Sequence, residues 1–162
     1  MGNLSTCLWF DHQAEEAARF YTGIFKNSSI GKIERYTKAG KEYHHQAEGS
    51  VMTVDFTIDG REFTALNGGP VFTFNEAISL VITCGSQEEI DYYWSRLSEG
   101  GDPAAQVCGW LKDKYGVSWQ VVPSVLAKLN ADPDKTKVER MLSVMYTMKK
   151  LDIAKLEAAF NG

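Results

Sequence analysis

The feature that most limits how this chain can fold is a repeat of its own sequence. Gln13-Ala14-Glu15-Glu16-Ala17-Ala18-Arg19-Phe20-Tyr21 lies over Ser86-Gln87-Glu88-Glu89-Ile90-Asp91-Tyr92-Tyr93-Trp94 when the Glu-Glu pairs are superposed, 73 residues apart. Each segment reads as a helix that follows a strand. Each half then closes with a glycine turn and a strand: Gly60-Arg61-Glu62-Phe63-Thr64 in the first, Gly116-Val117-Ser118-Trp119-Gln120 in the second. Self-similarity at a fixed spacing means one supersecondary unit used twice. The pattern predicts an α+β fold of two β-α-β-β-β modules, with one strand of the second module lost or shortened.

Local patterns fill in the units. Ser5 to Asp11 alternates as a strand, with Thr6, Leu8 and Phe10 on one face and Cys7 and Trp9 on the other. Ala14, Ala17, Ala18, Tyr21 and Phe25 recur at helical spacing and predict a helix over Gln13 to Phe25. Ser29 to Tyr36 and Ser50 to Ile58 read as strands, with a polar loop from Lys38 to Gly49 between them. Asp59-Gly60 signals a hairpin, returning through Glu62 to Leu66. Ile78 to Cys84 reads as a buried strand. Ser86 and Glu89 form a capping box for a helix to about Leu97. Ala105 to Leu111 and Val117 to Val122 read as strands. The tail is helical, with Asp132 and Asp152 as caps and a stripe of Val138, Met141, Leu142, Met145 and Met148.

Charge and composition exclude several roles. The formal net charge is −4 with no run of like charges, so no basic surface for nucleic acid is expected. Met1 to Thr6 lacks the pattern of a signal peptide, and no apolar stretch reaches the length of a membrane span. Cys7, Cys84 and Cys108 are widely spaced among apolar residues and read as reduced core thiols of a cytoplasmic protein. Four Trp, seven Tyr and eight Phe suit an aromatic cavity for a small molecule.

The most distinctive run is Cys108 to Pro123. Within it Trp110-Leu111-Lys112-Asp113 leads through a glycine turn to Gly116-Val117-Ser118-Trp119-Gln120. Together with Trp9-Phe10-Asp11, Phe20-Tyr21, Ser79-Leu80-Val81 and the tail Met145 to Ile153, it resembles the PhnB-like proteins. That family carries the label 3-demethylubiquinone-9 3-methyltransferase, within the vicinal-oxygen-chelate superfamily of glyoxalases and bleomycin-resistance proteins. The resemblance spans Leu4 to Pro123. It implies a cupped mixed sheet around a cavity and a homodimer. The organisation expected is a single glyoxalase-like domain, with modules over about 4–68 and 69–123 and a helical extension over 124–162.

Metal-dependent members of that superfamily take one ligand from each of four strands. The resemblance and the repeat carry those positions onto Thr6, Thr64, Ser79 and Gln120. Three hydroxyls and an amide are poor competitors with water for Zn²⁺, Ni²⁺ or Fe²⁺, so no metal and no other cofactor is expected. These four, with Leu8 and Trp110, are the candidate ligand-binding residues. His12 beside Asp11, the loop pair His44 and His45, and Asp113 are weaker candidates for acid–base or ligand-orienting work. Cys108 qualifies as a nucleophile only with a lowered pKa. The chain contains no Gly-x-Gly, so it lacks the glycine-rich strand-to-helix loop that a nucleoside methyl donor needs. Two functions remain: a protein that binds a small molecule without a metal, or an enzyme of the lyase, isomerase or dioxygenase type.

Overall fold

The computed structural model describes residue 2 and residues 4–162; Met1 and Asn3, part of the segment read above for a signal peptide, lie outside the described residues. The chain divides between Phe74 and Asn75 into two compact units.

The first unit contains β1 (Thr6–Phe10), α1 (Ala14–Ile24), β2 (Ser29–Arg35), a short α2 (Lys41–His44), β3 (Val51–Ile58) and β4 (Arg61–Asn67). Its sheet runs in the order β1-β4-β3-β2, with β1 parallel to β4 and the other pairs antiparallel. The β3–β4 hairpin turns on Asp59 and Gly60, both left-handed at φ 48° and 74°. This is the backbone that Asp-Gly favours. The expected polar loop is present but includes the single turn of α2.

The alternation of β3 and β4 decides which face is core. Val54, Phe56, Ile58, Phe63 and Ala65 are buried together with Leu8 and Phe10 of β1. They meet the stripe of α1, whose Ala14, Ala17, Ala18 and Tyr21 are wholly buried. Tyr21 stacks on Phe56 with ring centroids 6.2 Å apart. Burying side chains of this size contributes about 1.5–3 kcal/mol each.

Gln13 gives α1 no side-chain cap. The cap comes from β4 instead. The buried Asn67 accepts the Ala14 amide through Oδ1 at 2.8 Å and donates through Nδ2 to the Val51 carbonyl at 3.0 Å. Tyr36 donates its hydroxyl to the Asn67 carbonyl at 2.5 Å. The Trp9 indole N–H donates to the Gly69 carbonyl at 2.8 Å. Gly68 lies so close beneath that ring that a Cβ there would stand 2.2 Å from it.

The second unit contains β5 (Leu80–Cys84), α3 (Gln87–Ser98), a 3-10 turn (Pro103–Ala105), β6 (Trp110–Lys112), β7 (Ser118–Pro123), α4 (Val125–Asn130), α5 (Lys135–Met145) and α6 (Ile153–Asn161). The sheet order is β5-β7-β6, parallel then antiparallel. The repeat is therefore β-α-β-β-β followed by β-α-β-β. Ser86 caps α3, accepting from the Glu89 amide at 3.3 Å, while the Glu89 carboxylate accepts from the Gly85 amide at 2.7 Å.

Several expectations need correction. The strand expected over Ala105 to Leu111 begins only at Trp110. Cys108 and Gly109 adopt left-handed φ of 51° and 82°, and their amides donate to Met148 and Lys149 carbonyls at 2.7 and 2.8 Å. A segment whose donors go to the tail cannot also run in a sheet. Asp134, not Asp132, caps α5, accepting from Thr136 and Lys137 amides; Asp132 accepts from Asp134 N–H at 2.8 Å. Met148 lies beyond α5. Of the three thiols, all free, only Cys84 is core; Cys7 is exposed.

The tail helices enclose their own cluster of Leu129, Val138, Met141, Leu151, Leu156 and Phe160. Gln87 of α3 holds the tail, donating to the Leu151 carbonyl at 3.2 Å and accepting the Ile153 amide at 2.9 Å. No described helix is long and apolar enough to cross a membrane.

Candidate functional site

The open face of the first sheet lies opposite α1. Strand partners share a face, so the register assigns each candidate. Thr64 pairs with Cys7 and with Asp55, which places all three on the open face. Thr6 pairs with Phe63 and Leu8 with Ala65, which places both on the helix-packed face. Leu8 is core, 8% exposed. β1 therefore presents Cys7 beside Thr64, not the Thr6 that the resemblance implied, because one residue reverses the face.

Thr64 donates its hydroxyl to Asp55 Oδ1 at 2.8 Å. Around this pair opens a cleft of about 290 Å³, whose polar side chains are Ser5, Ser29, Asp55, Thr57, Glu62 and Thr64. Ser29 and Thr57 hydroxyls stand 3.2 Å apart, in reach of a hydrogen bond. Asp55 was legible as a strand residue on the face opposite Val54 and Phe56. Ser5, Ser29, Thr57 and Glu62 had no motif to mark them; only the sheet register collects them.

The second sheet has its own polar group. Gln120 Nε2 donates to Ser79 Oγ at 2.9 Å, and Trp110 is the partner of Gln120 across β6–β7. Structure therefore unites Ser79, Trp110 and Gln120 on one face. Lys112, two rows further along the same strand pair, forms an ion pair with Glu76. The hydrogen bond and charge of Lys112 hold the Glu76 carboxyl below the ordinary range.

The donor chemistry does not fit a transition metal. Thr64, Ser79 and Gln120 offer two hydroxyls and an amide, already engaged with one another or with Asp55, and β1 brings to the open face the Cys7 thiol, whose pKa burial raises. Among the described residues no three His, Cys, Asp or Glu side chains gather to hold a metal ion. Zn²⁺ needs imidazole, thiolate or carboxylate ligands in such a group.

The weaker candidates have local roles. His12 is exposed, its Nδ1 3.2 Å from Asp11. His44 Nδ1 accepts from the Gln46 amide at 3.0 Å, leaving Nε2 to donate toward the Ala39 carbonyl at 3.3 Å. Its ring lies 4.5 Å from that of Tyr36. His45 is exposed and ends α2 in a left-handed conformation, φ 56°. Burial raises the pKa of Cys7 and of Cys108, and pushes Cys84 up to about 11 with help from Glu89. Thiols so shifted are poor nucleophiles.

Asp113 is a structural carboxylate. It is 3% exposed. Oδ1 accepts the amides of Tyr115 and Val117 at 2.9 and 3.0 Å, and Oδ2 accepts the Trp119 indole N–H at 2.8 Å. Gly116 takes φ 88° in the same turn. The spacing Asp-x-x-Gly-Val-Ser-Trp is thus the spacing of a carboxylate that closes its own turn and anchors a core tryptophan.

Sheets, helices and repeat define a class before any family. A protein of Pseudomonas aeruginosa matches at 17% identity and TM-score 0.58, over 76% of this chain and 98% of its own. FosX of Listeria monocytogenes, a genomically encoded fosfomycin resistance protein, matches at 16% identity and TM-score 0.52, over 78% of this chain and 94% of its own. These likenesses establish the fold, that of the glyoxalase/bleomycin-resistance class.

The family follows from sequence. The model for 3-demethylubiquinone-9 3-methyltransferase matches residues 2–122. The PhnB protein of Bacillus cereus, which bears that same methyltransferase name, is 38% identical with TM-score 0.63, over 76% of this chain and all of its own. The chain belongs to this PhnB-like family. No curated protein matches it in sequence.

Proposed function

We propose that this PhnB-like protein binds a small molecule without a metal, in the cleft on the open face of the first sheet. The observation that carries this reading is the cleft itself: about 290 Å³, with the Thr64–Asp55 pair in its wall. That volume is near the lower limit for small-molecule pockets. Hydroxyls and carboxylates on three strands, with Ser5 just before β1, offer directional hydrogen bonds without a metal. A methyl-transfer reading finds no support in the chain, which lacks a glycine-rich nucleotide loop.

A second copy of the chain is the partner this reading expects. β5 is an edge strand, and Val81 on it is 57% exposed. Unpaired edges that carry apolar side chains favour pairing. A molar mass of twice the chain in solution supports the dimer; a monomer at all concentrations contradicts it.

A thermal-shift screen against a metabolite library, with and without chelator, tests the binding. Ligands that stabilise equally in both conditions support metal-free binding. Stabilisation that requires a divalent metal overturns it.

A further inference from the structure

We propose that the open face of the second sheet takes a small carboxylate with an apolar body, which displaces Glu76 from Lys112 and pairs with Ser118. The site lies wholly within the second unit and is additional to the cleft of the first sheet. Ser118 is 2% exposed, and among the described residues its Oγ is the one buried side-chain nitrogen or oxygen without a hydrogen-bond partner. Native interiors leave few such groups unpaired, because the lost hydration is not recovered.

Strand alternation aims this hydroxyl at the open face. Leu111, Trp119 and Val121 are core, so Ser118, one residue along, points the other way. There it is the partner of Lys112 across β6–β7. Two residues further on, Gln120 stands on the same face. It spends one amide hydrogen on Ser79 Oγ, which leaves its second hydrogen and the Ser79 hydroxyl hydrogen to donate. One ammonium, two hydroxyls and an amide thus offer donors on one face. Their single positive charge suits a monoanion better than a dianion.

Glu76 marks where that anion sits. It pairs with the Lys112 ammonium, but the partners are unequal: the Lys112 side chain is 25% exposed and that of Glu76 60%. Glu76 stands on a turn ahead of β5. Ion pairs with so exposed a partner contribute little, so a free carboxylate can replace it. The Glu76 carboxylate leaves the Ser118 hydroxyl unpaired; a ligand that reaches deeper gains that bond as well. Trp110 and Val81 are the partners of Gln120 on its two sides, and Val81 is 57% exposed. They give the ligand's body an apolar rest.

The test uses the full chain labelled with ¹⁵N, in chelator and low salt at neutral pH, titrated with benzoate, benzamide and inorganic phosphate. Benzoate and benzamide share a shape and differ in charge. Benzoate is expected to shift the amides of residues 110–112 and 118–120, with an affinity about tenfold above that of benzamide, the ratio of one charge-assisted hydrogen bond. Added salt weakens it. Glu76→Gln, an exposed change, removes the competitor and raises benzoate affinity about threefold. Ser118→Ala lowers benzoate affinity about fivefold while the urea midpoint holds, since the hydroxyl has no partner in the free protein. Benzamide or phosphate matching benzoate at these amides overturns the assignment. So does benzoate affinity that is unmoved by both variants, or an absence of shifts there with benzoate. The cleft of the first sheet is read separately, from residues 29–31, 55–57 and 62–64.

Discussion

The buried carboxylate of Asp113 accepts the indole N–H of Trp119 at 2.8 Å. With the Tyr115 and Val117 amides as further donors, this one side chain organises the turn within the most distinctive run of the sequence. That turn is therefore a mark of folding. It says little about chemistry.

Asp113→Ala should be costly, because it leaves buried donors unpaired. The loss expected is about 3 kcal/mol, read as a lower urea midpoint. Trp119 emission in the native state should also change. A variant as stable as the parent would refute the structural role of Asp113.

Asn67→Ala removes the cap of α1 together with the link to Val51. A loss of about 2–4 kcal/mol is expected. Hydrogen exchange should show the amide of Ala14 losing protection first. Unchanged protection there would mean that α1 is capped some other way.

Gly68→Ala pushes a methyl group against the Trp9 ring, which a Cβ would approach to 2.2 Å. Overpacking of this kind costs about 1–3 kcal/mol. The paired change Gly68→Ala with Trp9→Phe should cost less than the two single changes together, measured by denaturation in a double-mutant cycle.

These three residues show what the sequence made legible and what it hid. The helix of Gln13 to Phe25 was plain from its apolar spacing, and the hairpin from Asp59-Gly60. Both signals are local. The repeat revealed the paired modules because similar sequence imposes similar packing. Asn67 carries no local signal of its role, since its task depends on a helix start 53 positions earlier. Thr6 was placed with Thr64 because a position carried over from a resemblance brings no register with it. The structure pairs Cys7 with Thr64, and the single step moves Thr6 to the other face. The strand expected from Ala105 starts only at Trp110 for a similar reason: the amides of Cys108 and Gly109 are claimed by Met148 and Lys149, which no local pattern foretells.

Stability should also depend on pH through Cys84. Burial raises its pKa from the ordinary value of 9.0 to about 11. The unfolded chain then loses its thiol proton first. The stabilising effect is complete below pH 9 and is lost as pH rises toward 11. The urea midpoint should fall over that window, and fall less in Cys84→Ala. Equal falls in both proteins would assign the loss to other groups.

The central claim is that a small molecule binds on the open face of the first sheet without a metal. The most direct measurement is an amide chemical-shift map of the chelator-treated protein with the strongest stabilising ligand from the screen. The account predicts shifts centred on residues 29–31, 55–57 and 62–64, unchanged when Zn²⁺ is added. Shifts confined to other residues, or present only with the metal, would contradict it.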